Sequence, residues 1–173
     1  MSNRYEEEIL RFFLYNPMKS YGVRELGRVT RRNTKTVMKY LKSLKIKGIV
    51  KKTKLPNTYP YYEPNRLAKS YKIVKANYII NKIAESGLVD YLDSKLHPKS
   101  IILFGSVQKG TYTKESDVDL FVQSKNVKLS LDNFSKKIGH EIQIYFEEDI
   151  NKLSKNFKNN IINGFPLSGG IEI

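Results

Sequence analysis

Apolar residues recur at helical spacing in the first third of the chain and at two-residue spacing in the last third. Ile9, Leu10, Phe13 and Leu14 line one face of a helix over Glu6 to Leu14, with acids in its first turn, and Asn16-Pro17 stops it. Val23 to Val29 reads as a second short helix. A third, capped by Asn33 or Thr34, buries Val37, Leu41 and Leu44 and ends at Lys47-Gly48. Ile49 to Lys52, a Leu55-Pro56-Asn57 turn, and Thr58 to Tyr62 predict a hairpin whose second arm Pro60 confines to an edge. Pro64-Asn65 then marks a boundary. Beyond it a long helix runs from Leu67 to about Ala84 with Leu67, Tyr71, Val74 and Tyr78 on one face. Gly87 interrupts it, and Leu88 to Leu96 continues as helix. Strands follow over Ile101–Phe104, Asp117–Val122 and the alternating segment around Ile142, Ile144 and Phe146. Leu129 to Ile138 and a polar Asp149 to Asn163 read as helices, before Gly164–Gly169 turns the chain into Ile171-Glu172-Ile173.

The apolar content of 40% supports packed cores rather than disorder, and 173 residues suffice for one medium domain or two small ones. No apolar run reaches the length of a membrane span, and the polar, acidic start is unlike a signal peptide. Without cysteine there is no disulfide framework, and two distant histidines make no zinc cluster. A cytoplasmic protein is the expectation. The net charge of +14 is uneven: residues 1–65 hold 15 Lys and Arg against 5 Asp and Glu, and residues 66–173 hold 16 against 12. A basic first third suggests a nucleic-acid-binding module joined to something else.

Tyr21–Arg28, Thr36–Leu44 and Lys47-Gly48-Ile49-Val50 resemble winged helix-turn-helix regulators over about the first third of the chain. The resemblance implies a module of three helices plus a β-hairpin over residues 1–64, its third helix entering the major groove of double-stranded DNA. The DNA-facing residues would be Arg31, Arg32, Asn33, Lys35, Thr36 and Lys39, with Lys51, Lys52 and Lys54 on the wing meeting phosphates. Tyr59, Tyr61 and Tyr62 could stack on bases, but packing of the hairpin against the helices is the expected use.

The most informative stretch is Ile101-Ile102-Leu103-Phe104-Gly105-Ser106 followed by Ser116-Asp117-Val118-Asp119-Leu120. A buried strand meets a Gly-Ser turn, and a second strand carries two acids two residues apart. Strand side chains alternate, so Asp117 and Asp119 share a face while Val118, Leu120 and Val122 point into a core. Adjacent carboxylates repel unless a cation lies between them. Amides of the turn lie where phosphate oxygens would bind.

Phe104–Gly110 with Ser116–Leu120 resembles the signature of the polymerase-beta-like nucleotidyltransferases, above all their minimal stand-alone members, over roughly residues 85–173, the Ile162–Leu167 segment included. The resemblance implies a small mixed-sheet fold over residues 65–173, with 65–96 as a helical lead-in, so that the whole chain is α+β. It implies that Gly105, Ser106 and Lys109 bind a nucleoside triphosphate. Asp117 and Asp119 would hold two Mg²⁺ (or Mn²⁺) ions about 3.5–4 Å apart, one activating an acceptor hydroxyl and one steadying pyrophosphate. It also implies a possible helical partner protein. One departure stands out: the third acid of catalysing members aligns with Gln143, a neutral amide. Glu141, one side-chain repeat away, is the substitute candidate. The expected function is metal-dependent transfer of a nucleoside monophosphate to a hydroxyl, coupled to a DNA-binding winged helix. The alternative is a DNA-binding regulator or antitoxin-like protein with a degenerate nucleotidyltransferase fold.

Overall fold

The structure, a computed structural model, describes residues 4–170, so the expected Ile171-Glu172-Ile173 end lies outside the described residues. The chain divides into two compact units, residues 1–75 and 76–173. Among the described residues no helix is long and apolar enough to cross a membrane.

In the first unit, α1 (Arg4–Tyr15), α2 (Val23–Val29) and α3 (Thr34–Ile46) accompany a small antiparallel sheet of β1 (Tyr21–Gly22), β2 (Val50–Thr53) and β3 (Tyr61–Pro64). Ile9, Phe13, Leu26, Val37, Leu41 and Leu44 are buried, as their helical spacing requires. Asn33 caps α3, its side chain accepting from the Thr36 amide at 2.8 Å. The sheet order is β1-β3-β2, so β3 is central rather than an edge. Pro60 does not obstruct this, because the strand starts one residue after it. Tyr62 is buried in that sheet, whereas Tyr59 is largely exposed, its ring 5.3 Å from the guanidinium of Arg24 on α2.

Helix α4 (Lys69–Ser86) starts later than expected, and Leu67 lies ahead of it, 90% exposed instead of on a buried face. Tyr71, in its first turn, is buried in the first unit and donates to the Phe13 carbonyl at 2.9 Å. Gly87, in a left-handed conformation, separates α4 from α5 (Leu88–Leu96), and the Ser86 hydroxyl bridges the break by accepting from the Leu88 amide.

The second unit is built on a four-stranded mixed sheet. Strands β4 (Ser100–Phe104), β5 (Val118–Val122), β6 (Ile142–Phe146) and β7 (Phe165–Gly169) lie in the order β6-β5-β4-β7. Only the β5–β6 pair is parallel. The segment expected only to turn the chain, 164–169, contains the edge strand β7. One sheet face buries Ile101, Leu103, Val118, Leu120 and Val122 with Ile79, Ile83, Leu88, Leu92 and Ile138. The last of these lies on α7 (Asp132–Ile138), which is shorter than the expected helix from Leu129.

The other face carries a second core that alternation alone did not reveal. Ile102, Phe104, Phe121, Ile150 and Ile161 are buried there, with Tyr145, Leu153 and Phe157 packed against them. The expected single helix from Asp149 to Asn163 is in fact a 3₁₀ turn (Ile150–Lys152) and α8 (Lys155–Ile162). Ser154 divides them, because its side chain accepts from the Phe157 amide and starts a new helix. The break lets both pieces lay apolar residues on the sheet, each buried side chain contributing about 1.5–3 kcal/mol.

Candidate functional site

The second sheet face is covered only over part of its length, and the acids lie beside that cover. Phe104 is paired with Asp119 across the antiparallel β4–β5 ladder, and Asp119 with Gln143 across the parallel β5–β6 ladder. Residues in register share a face, so an aromatic ring, a carboxylate and an amide form one row across three strands. The neighbouring row, Ile102, Phe121 and Tyr145, is part of the apolar cover. Rings of Phe104, Tyr145 and Phe157 meet pairwise at 5.3–5.5 Å and wall the row on that side.

Gly105 follows β4 at φ +76° and opens α6 (Gly105–Gln108). A β-carbon built there would lie 2.3 Å from the Asp119 Oδ2. Glycine is therefore needed twice, for the left-handed backbone and for the space the carboxylate fills. The same contact fixes the spatial relation of turn and acid: they adjoin. Ser106 stands in the first turn of α6, and its carbonyl accepts from the Thr111 amide at 3.0 Å, which folds the chain back toward β5. Lys109 ends the helix and is exposed.

Asp117 lies just before β5 and is exposed, while Asp119 is half-buried. Burial, and next the charge of Asp117, push the Asp119 carboxyl above the usual aspartate range. No lysine or arginine of the described residues forms an ion pair with either acid. Two like charges are thus held together without a counter-charge.

The loop that leads into Asp117 is pinned by a residue that sequence reasoning passed over. His140 Nδ1 lies 2.7 Å from the Ser116 carbonyl, and its ring meets the buried Tyr112 edge-on at 5.3 Å. The Ser116 hydroxyl accepts from the Thr113 amide at 2.8 Å. The only sequence signal was the position of His140 one residue ahead of Glu141. The backbone of Glu141 continues the ladder, its carbonyl accepting from the Val118 amide at 2.8 Å, and its side chain is exposed. Gln143 is exposed as well.

Among the described residues no group of three or more His, Cys, Asp and Glu stands ready to enclose a metal ion. A carboxylate pair nonetheless suits Mg²⁺, which usually takes one or two carboxylates and completes its shell with water and phosphate oxygens.

In the first unit, Lys35, Lys39, Lys52 and Lys54 are exposed, and Arg31 is exposed with a left-handed backbone, φ +53°. Four other expected DNA-facing residues have intramolecular partners, as has Lys39, 5.7 Å from the centre of the Tyr40 ring. Arg32 lies over the Tyr5 ring at 4.0 Å and 3.7 Å from Glu8, Lys51 is 3.3 Å from Glu63, and Asn33 caps α3 with Thr36 as its donor.

Searches of curated proteins and of solved structures each returned no match to this chain. Residues 85–168 match the family model described as "Nucleotidyltransferase domain", a stretch that runs from the end of α4 into β7, contains Gly105, Asp117, Asp119 and Gln143, and fits the mixed sheet on which they stand.

Proposed function

We propose that the second unit binds a nucleoside triphosphate with Mg²⁺ or Mn²⁺ and transfers its nucleoside monophosphate to a hydroxyl acceptor. The observation that carries this is the contact between the Gly105 turn and the Asp119 carboxylate, beside a second acid, with no lysine or arginine of the described residues paired to either. Asp117 and Asp119 would hold the metal, which supplies charge neutralisation for the phosphates when bound. The Gly105 and Ser106 backbone would meet the triphosphate, and Lys109 would offset its charge. In the transfer the acceptor oxygen bonds to the α-phosphorus, the bond to the bridging oxygen breaks and pyrophosphate leaves. The hydroxyl proton passes to Glu141 or to water.

Gln143 favours a second reading. The amide occupies the place in register with Asp119 where the resemblance expects a third acid, and an amide accepts no proton. In that reading the fold binds nucleotide without turnover and the chain acts as a regulator. In both readings the first unit is a winged helix that binds double-stranded DNA, supported by the +10 charge of residues 1–65 and by the exposed Arg31, Lys35, Lys39, Lys52 and Lys54. A helical partner protein, implied by the resemblance, would bind the second unit.

A radiolabel transfer assay with mixed hydroxyl acceptors separates the readings. Label moving from the α-phosphate in the native protein supports the enzyme. Label that moves only after Gln143→Asp supports the regulator.

A further inference from the structure

At the end of the sheet opposite the acids, β4 begins and β5 finishes, and a groove of about 430 Å³ opens there. Lys95, His97, Lys99 and Lys125 stand on it, all exposed, with Ser124 and a single acid, Glu148. Three lysines against one carboxylate leave its lining cationic. Its floor is fixed: the Gln123 side chain donates to the Glu148 carbonyl at 3.1 Å and accepts from the Ser100 hydroxyl at 3.2 Å. The Lys99 and Gln123 main chains are tied to each other's strand by bonds of 3.1 and 2.9 Å. At the rim His97 adopts φ +44°, ψ +53°, a left-handed conformation that few residues other than glycine take up. The strain is of order 1–2 kcal/mol, and it leaves an imidazole ring exposed among the lysines.

We infer that this groove binds the backbone of a single-stranded nucleic acid, with Lys95, Lys99 and Lys125 on its phosphates and His97 stacked on a base. Single-strand sites combine a basic track with a flat ring, and here the two coincide on a preorganised floor. The narrow volume suits one strand, not a duplex. The inference is independent of catalysis at Asp117 and Asp119, which lie at the other end of β5.

The test is lysine acetylation footprinting of the full chain, read by mass spectrometry at physiological salt, with a single-stranded oligonucleotide of about ten residues. Labelling of Lys95, Lys99 and Lys125 is expected to fall at least about threefold. Pyrophosphate at the same phosphate concentration should leave them labelled. No protection of these three, or equal protection by pyrophosphate, would overturn the inference. His97→Gly gives a second readout, because glycine relieves the strain while removing the ring. It should leave the melting temperature unchanged or higher and raise the oligonucleotide concentration for half-protection about fivefold, the loss of one stacked base. An unchanged half-protection point would contradict the role of the ring.

Discussion

The acids of the two units are treated in opposite ways. In the first unit Glu6, Glu8, Glu25 and Glu63 each lie 2.7–3.7 Å from a lysine or arginine. Glu6 is the most deeply placed. Burial alone would raise its carboxyl, but hydrogen bonds from Lys47 and Ser43, with the Lys47 charge, outweigh that and hold it below the usual glutamate range. In the second unit Asp117 and Asp119 stand two residues apart with no lysine or arginine of the described residues paired to either, and Asp119 is shifted the other way. Paired acids stabilise the fold that holds them. An unpaired pair at a glycine turn costs stability until something positive arrives, and the proposed metal-bound nucleotide would supply that charge.

The largest expected effect comes from closing the space at the turn. Gly105→Ala puts a methyl group where Asp119 Oδ2 lies. The carboxylate is a side-chain end and can swing aside, so the folding cost should stay near the left-handed penalty, about 1–2 kcal/mol. Metal-dependent nucleotide binding, by contrast, should fall below detection in a titration. Gly164→Ala is the complementary control. Its methyl would meet the Leu103 and Ile161 carbonyls at 2.8 and 2.9 Å, where backbone must move. Denaturant unfolding should show a loss of about 2–3 kcal/mol with the acids untouched.

Next in size is Glu6→Gln, which removes the carboxylate that Lys47 and Ser43 address. About 1–2 kcal/mol should be lost at neutral pH. The sign with pH follows from the depressed carboxyl. Glu6 stabilises the fold above its unfolded value of 4.5, and that contribution disappears as pH falls from there through the lower folded value. The variant should therefore match the native protein in acid melts.

Asp119→Asn should have the opposite sign. The folded carboxyl is raised above its ordinary 3.8, so its ionised form destabilises the fold as pH rises through the raised value. At neutral pH the asparagine variant should melt slightly higher than the native chain without metal, and the gain should vanish below pH 3.8, where both states are protonated. Calorimetric melts across that range check both halves. Mg²⁺ should raise the native melting temperature and leave the variant unmoved.

The part of this contrast that was legible in the sequence was local. Strand alternation put Asp117 and Asp119 on one face, and the Gly-Ser pair after an apolar strand announced the turn that adjoins Asp119. What escaped depends on the partners of that face. Phe121 shares it with the acids, yet alternation alone cannot say that half of a strand face is covered and half open. The cover is the 3₁₀ turn with α8, and the separate start of α8 was announced by Ser154 but masked by a Lys- and Asn-rich stretch that reads as continuous helix. The two-residue strand β1 has too few positions to show any period, and with it missing β3 reads as an edge. His140 gave no signal beyond its place ahead of Glu141, because its role lies in a bond to a main-chain carbonyl 24 residues away.

The most direct test is isothermal titration of a non-hydrolysable ATP analogue into the native chain and into Asp119→Asn, each with Mg²⁺ and with a chelator. Heat of binding should appear only for the native chain with the metal. Equal affinity in the chelator, or in the asparagine variant, would contradict the claim that the unpaired acids beside Gly105 exist to receive a cation-bound polyphosphate.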